Sequence, residues 1–317
     1  MSRLYSFVLP AYKARFLRES IDSILAQTFK EFEFIIVNDA SPEDIDSIVA
    51  SYDDSRIQYY VNRENIGGKD LIAQWNKSIS YARGEYLILA SDDDIYDREF
   101  LEQMDKLICR YPEVNVFRPR VKTINEYGET IGVEGYIKEF SKGIEFLQAW
   151  TNGWIGSGIP FYVFKREPLL AIGGFAQYPL AWFSDDATVL RLSNNGIVSS
   201  NDILFAFRWS GLSISSKKNS LMTLQLKLSA TNLFYQEVSK YLECHIAADT
   251  TEEYINKSIK PLFNRLIYTN KALGQISSAR WIDVTRMFPV IMKYSFIPSR
   301  NFIHWYLKFS LRSLWYL

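Results

Sequence analysis

Residues 86–96 read Tyr-Leu-Ile-Leu-Ala-Ser-Asp-Asp-Asp-Ile-Tyr, an apolar run short enough for a buried strand followed by three carboxylates in a row. With Gly84 just ahead of it, such a run suits a strand covered on both faces of a parallel sheet, and the acids then stand at its carboxyl end. Ligands of open α/β sheets bind beyond the carboxyl ends of the strands. Three adjacent like charges repel unless they are solvated or neutralised, and a hard divalent cation that also bridges phosphate oxygens neutralises them well. Asp92, Asp93 and Asp94 are therefore the candidate metal ligands, for Mn or Mg. The plainer reading of the same acids is a turn that complements the dipole of the following helix, Asp97 to Arg110.

The chain on either side decides between the two. Upstream, Leu4 to Leu9 is a β-rich run ended by Pro10, and Ala14 to Thr28 carries apolar residues at helical spacing. Phe32 to Asn38 is a second strand that stops at Asp39-Ala40-Ser41-Pro42, a turn leading into a polar helix through Tyr52. Arg56 to Val61 is a third strand. Asn65-Ile66-Gly67-Gly68-Lys69 then opens an amphipathic helix that Gly84 caps, and two glycines with a lysine at a helix start let backbone amides and a cation approach a phosphate. Strands alternating with helices predict an α/β fold with a mostly parallel sheet.

Downstream, Val114 to Lys122 and Gly132 to Ile137 read as strands, Ser141 to Trp150 as a helix and Pro160 to Phe164 as a short buried strand. Gly173-Gly174-Phe175 is a turn, Ser184-Asp185-Asp186 opens another helix, and Ile203 to Trp209 is the last strand. From about Lys217 the pattern is helical throughout. A boundary near Ser215 divides the chain into an α/β domain, 1–215, and an all-helical C-terminal region, 216–317.

Composition narrows the function classes. Lys plus Arg and Asp plus Glu number 36 each, so no global field draws the chain to nucleic acid. Cys109 and Cys244 are the only cysteines among 317 residues, too few for a disulfide framework or a zinc cluster, which fits a reducing, cytoplasmic compartment. Two histidines, His245 and His304, leave little room for a His-based metal site and read as structural. The segment Met1 to Pro10 runs into the first core strand and has too short an apolar stretch for a leader.

Six blocks in order carry a family resemblance: Phe7 to Tyr12; Ser20 to Phe29; Phe34-Ile-Ile-Val-Asn-Asp-Ala-Ser41; Asn65-Ile-Gly67 with Asn76; Ala82 to Tyr86; and Ser91 to Tyr96. Each is loose alone, but together they resemble family 2 of the inverting glycosyltransferases, whose nucleotide-diphospho-sugar (GT-A type) fold would cover about two thirds of the chain. The resemblance implies a metal-dependent transferase that moves a sugar from a nucleoside-diphosphate donor, by expectation a UDP-sugar, to a hydroxyl of a saccharide or lipid-linked acceptor in cell-surface polysaccharide synthesis. It implies that Pro10, Ala11, Tyr12 and Asp39 hold the nucleotide, joined by Asp92 and by Lys69 near the diphosphate. It further implies that Asp93 takes the metal with Asp92 or Asp94. Asp185 stands in the base position, counted back from Arg191 and Gly196, with Asp186 in reserve. There are departures: Asn38-Asp39-Ala40-Ser41 replaces the usual Asp-Asp-Gly-Ser, and Ser184-Asp185-Asp186 replaces the usual Glu-Asp.

A general base for the acceptor hydroxyl and a cation for the leaving diphosphate are what a single inverting displacement requires. Trp154 and Trp182 flank the expected acceptor side. The aromatic and basic tail from Met287 to Leu317 suits a peripheral contact with the inner membrane face, and equally a helical cover or a homodimer contact. Two rival classes remain: a catalytically silent sugar-binding or scaffold protein on the same fold, and a nucleotidyltransferase. The second would carry a glycine-rich loop after strand one, where this chain has Ala11-Tyr12-Lys13-Ala14-Arg15.

Overall fold

The computed structural model describes residues 4–210, 219–246 and 255–314. The chain divides into two compact units, Met1–Gln177 with Ser184–Leu212 and Tyr178–Phe183 with Ser213–Leu317. The expected boundary near Ser215 lies outside the described residues, as do Trp315 and Tyr316 of the tail.

The first unit is a mixed sheet flanked by helices. Strands β1 (Tyr5–Ala11), β2 (Phe32–Asn38), β3 (Ile57–Val61) and β4 (Tyr86–Leu89) alternate with helices α1 (Leu17–Leu25), α2 (Ile45–Ala50) and α3 (Leu71–Ile79). All four strands pair in parallel, in the spatial order β3-β2-β1-β4. The side chains of β2 and β4 are buried along their whole length, which is why their sequences are apolar without alternation. One acid is embedded there: Glu33 on β2 accepts from Ser6 Oγ at 2.6 Å, from Gln58 at 2.9 Å, and from the Arg83 and Gly84 amides at 2.6 and 3.2 Å. Burial works against its charge, yet these donors outweigh it and hold the carboxyl below its ordinary value.

Next come β5 (Ile95–Tyr96), α4 (Phe100–Arg110), β6 (Val116–Asn125), β7 (Thr130–Val133), β8 (Phe140–Ser141), α5 (Gly143–Thr151), β9 (Val163–Lys165), α6 (Arg166–Ala171), α7 (Ser184–Leu192) and β10 (Ile197–Trp209). They extend the sheet as β4-β9-β6-β10-β5, with β9 antiparallel to both neighbours and β10 parallel to β6. Several expected boundaries move: the strand expected over Gly132 to Ile137 is β7, Thr130–Val133, and α3 ends with its C-cap at Ser80 rather than at Gly84. Pro160 and Phe161 lie in a 3-10 turn, Ile159–Phe161, because Pro160 cannot donate to a ladder, and the strand starts at Val163. The last strand begins six residues earlier than its apolar run, at Ile197 rather than Ile203. The register shift between Ser199 and Ile203 breaks its alternation, so the polar segment looked like a loop.

The second unit, by itself, is helical: α8 (Leu221–Ile246), a run of π and α turns from Ile255 to Ser277, α9 (Trp281–Ile291) and α10 (Ser299–Leu314). Phe288 on α9 stacks on Phe302 of α10 at 5.7 Å and meets Tyr306 at 4.7 Å, and Phe302 and Phe296 are buried. These tail aromatics thus pack within the helical unit itself. Among the described residues no helix is long and apolar enough to cross a membrane.

Candidate active site

The carboxyl ends of β1, β2 and β4 lie side by side, so three loops converge there. After β4 the chain turns at Ser91-Asp92-Asp93-Asp94, and each of the three acids has a different set of partners. Asp92, buried, accepts through Oδ2 from the backbone amides of Tyr12 at 3.0 Å and Lys13 at 2.7 Å, which fastens the acidic turn to the loop after β1. Asp94, buried, accepts from the Arg208 amide at 2.8 Å and from the Ser91 hydroxyl. Asp93 keeps the most accessible side chain of the three, and its Oδ2 sits 3.2 Å from Lys13 Nζ.

Burial, more than any neighbour, pushes the Asp92 carboxyl up. The same cause, with help from Asp93, raises Asp94 to about 7. Burial pulls the other way on the Lys13 ammonium, but Asp92, Asp93 and Asp94 together outweigh it and hold Lys13 above the ordinary lysine value.

Arg208 and Lys13 are the two site residues that the sequence reading left without a role. Arg208 is buried on β10; its Nε donates to the Asp93 carbonyl at 2.8 Å, a terminal nitrogen pairs with Glu19 at 2.6 Å, and its plane lies 4.2 Å over Phe16. Arg208 and Asp93 are 115 residues apart, so no local pattern could have signalled the contact.

Asp39, at the end of β2, is buried and heavily engaged. Its Oδ1 accepts from Asn62 Nδ2 at 2.7 Å and from the Ile66 amide at 2.9 Å, and its Oδ2 accepts from the Gly67 amide at 2.7 Å. Three donors fill most of the roughly four acceptor positions of a carboxylate. A Cβ on Gly67 would lie 2.9 Å from Asp39 Oδ2, so glycine is what lets this amide approach. The next residue, Ala40, has φ of +49°, the left-handed region that disfavours a side chain with Cβ. The glycine that the family pattern expects at this place thus has a conformational reason, which Ala40 meets under strain.

Of the other expected nucleotide residues, Pro10 and Ala11 close β1 opposite Val37 and Asn38. Tyr12 is 40% exposed, which excludes a core role for its ring, and its carbonyl accepts from Ser41 Oγ at 2.5 Å. Lys69 lies on the surface, paired with Glu64 at 2.5 Å.

Asp185 and Asp186 stand half-buried in the first turn of α7, where Asp185 Oδ1 accepts from the Asp186 amide at 2.9 Å. Burial pushes up the phenol of buried Tyr162 against the opposing Arg118 charge and Ser157 hydroxyl, and the charges of Asp186 and Asp185 add smaller upward contributions. Their helix is tied to the first half of the fold. Asn76 on α3 accepts from the Phe175 amide at 2.8 Å, and Thr188 on α7 accepts from the Ala176 amide at 2.9 Å. Gly174 between them has φ of +84° and rests against the Asn76 amide, leaving no room for a side chain. Trp154 is 55% exposed, and Trp182 belongs to the second unit, under Lys227 at 4.4 Å. His304 lies on α10 and His245 on α8.

Among the described residues no three His, Cys, Asp or Glu side chains converge as a ready-made metal site. Mg and Mn are commonly held by one or two carboxylates together with ligand phosphates, and Asp93 suits that arrangement because its side chain already faces a cation, the Lys13 ammonium.

The chain is similar to known proteins at both the sequence and the fold level. An uncharacterised glycosyltransferase of Rickettsia typhi is 41% identical over 116 residues, 36% of this chain and 35% of that protein, so the match spans about a third of the relative's length. S. aureus TarS in complex with UDP superposes with a TM-score of 0.63 at 17% identity, covering 93% of this chain and 81% of that one. Mannosyltransferase PcManGT of Pyrobaculum calidifontis, in complex with GDP-Man and Mn2+, gives a TM-score of 0.52 at 16% identity over 90% of this chain and 86% of that one. These likenesses establish a GT-A type α/β fold. The model of glycosyl transferase family 2 matches residues 6–170, more than half of the chain, and the chain belongs to that family.

Proposed function

We propose that this protein transfers a sugar, with inversion, from a nucleoside-diphosphate donor, a UDP-sugar by preference, to a hydroxyl of a saccharide or lipid-linked acceptor. The observation that carries this reading is the junction at the ends of β1, β2 and β4. There one accessible carboxylate, Asp93, is held in place by two buried ones and flanked by the Tyr12 and Asp39 loops. The solved complex of TarS with UDP-GlcNAc supports a uridine donor, at a TM-score of 0.61 and 17% identity over 86% of this chain and 79% of that one.

In this reading Tyr12 lies against the base, and Asp39 shapes the pocket by fixing the Ile66–Gly67 amides while offering its remaining acceptor position to the nucleotide. Asp93 would hold Mn or Mg with diphosphate oxygens, and Asp92 would orient the Tyr12–Lys13 backbone beside it. The bound metal supplies positive charge to the departing diphosphate. Asp185 accepts the proton of the acceptor hydroxyl as that oxygen attacks the anomeric carbon, which inverts the centre in one displacement. Asp186, one position along the same helical turn, braces Asp185 through its amide.

Asp185→Asn tests the assignment because it keeps the size of the side chain and removes the basic site. Turnover with a UDP-sugar should fall by about 10²–10⁴-fold, the usual worth of a positioned general base. The donor's thermal stabilisation of the protein should persist. Full turnover in Asp185→Asn would overturn the role, and the parallel Asp186→Asn variant would show whether its neighbour holds it.

A further inference from the structure

Lys13 stands where a cation is needed. Its Nζ is 3.2 Å from Asp93 Oδ2 and 3.7 Å from Asp92 Oδ1, and its side chain is 36% exposed. The root of that side chain is fixed, because the Lys13 and Tyr12 amides both donate to Asp92 Oδ2. The ammonium, on a flexible four-carbon stem, is the part that can move. A divalent ion bound to Asp93 at about 2.0–2.2 Å would lie within a few ångströms of this ammonium, and two cations that close repel.

Building on the reading above, we infer that Lys13 is a built-in competitor for the metal. Its ammonium neutralises Asp93 in the nucleotide-free protein and must swing away for a divalent ion to enter. The displaced ammonium, still tethered beside the acidic turn, is then positioned to pair with the diphosphate of the donor. The consequence is ordered recognition: metal alone binds weakly, and metal arriving with a diphosphate binds well, because only the diphosphate gives the ammonium a new partner. Lys13 is in this sense a positioning residue, setting when the metal site becomes available.

The test is Mn(II) binding, followed by the electron paramagnetic resonance signal of the free ion, for wild type, Lys13→Met and Lys13→Met/Asp93→Asn, each with and without UDP. Melting curves confirm that the variants fold. Without nucleotide, Lys13→Met should bind Mn about tenfold more tightly than wild type, a change of ~1.4 kcal/mol, and the double variant should lose the gain. UDP should tighten Mn binding strongly in wild type and much less in Lys13→Met. Equal or weaker Mn binding by Lys13→Met, absence of Mn binding in every protein, or a gain that survives Asp93→Asn would each overturn the inference. Failure of the functional reading shows up separately, as absence of any UDP-sugar effect on the melting temperature of wild type.

Discussion

The guanidinium of Arg208 donates through Nε to the main-chain carbonyl of Asp93 at 2.8 Å, while the Arg208 amide donates to the Asp94 carboxylate at the same distance. One residue of β10 therefore grips two consecutive positions of the acidic turn after β4, two strands that are not neighbours in the sheet. The direction of the Asp93 side chain is set by this grip and by the Asp92 contact with the Tyr12 and Lys13 amides.

Arg208→Lys keeps the charge but loses the planar fork that reaches the carbonyls of Asp93 and Glu126 and the carboxylate of Glu19 at once. Unfolding in urea should show a loss of about 2–3 kcal/mol, in the range for disrupting buried charge-assisted hydrogen bonds. At temperatures where the variant is folded, KM for the donor should rise more than kcat falls, since Arg208 positions Asp93 without touching substrate. A variant with unchanged stability and unchanged KM would contradict the bracing role.

Ala40 sits at φ of +49° immediately after Asp39. Replacing it with glycine relieves a left-handed strain of about 1–2 kcal/mol and restores some chain entropy to the unfolded state, so Ala40→Gly should stabilise by about 0.5–1 kcal/mol. Chemical denaturation reads this directly, and destabilisation would show that the strain is absent.

Asp94 gives a pH prediction with a definite sign. Burial raises its folded pKa to about 7, whereas an unfolded aspartate titrates near 3.9. Below about pH 4 the group is protonated in both states and costs nothing. As pH rises toward 7 the unfolded chain ionises first, so stability falls with pH. In metal-free protein Asp94→Asn removes this penalty, and Asn can still accept from the Arg208 amide while donating to Ser91 Oγ. The variant's stability relative to wild type should therefore improve progressively between about pH 4 and pH 7, by a total on the order of 2–4 kcal/mol. A difference that stays flat across this window would contradict the shift.

The strands around the site were legible because burial on both faces demands unbroken apolar runs, as in Phe34 to Val37 and Tyr86 to Leu89. The acidic turn was legible from its place after such a run. The division of labour within it was not. That Asp92 and Asp94 are brackets and Asp93 the most accessible member depends on Tyr12, Lys13 and Arg208, which are far away in sequence. Asp39 was singled out as a residue that meets the ligand, yet most of its acceptor capacity goes to Asn62, Ile66 and Gly67, a contact that only the parallel β1-β2-β3 arrangement brings together. The early start of β10 was hidden for a third reason, a bulge that breaks the alternation on which strand recognition depends.

The central claim is that Asp93 faces the diphosphate of a nucleotide sugar, and the melting temperature of wild type and Asp93→Asn across UDP-, GDP- and dTDP-sugars, each with and without Mn, tests it most directly. Binding to the folded state alone raises the melting temperature, so a UDP-sugar with Mn should stabilise wild type more than either component alone, and Asp93→Asn should lose the metal-dependent part. Stabilisation that is the same in both proteins, or absent for every nucleotide sugar, would contradict the account.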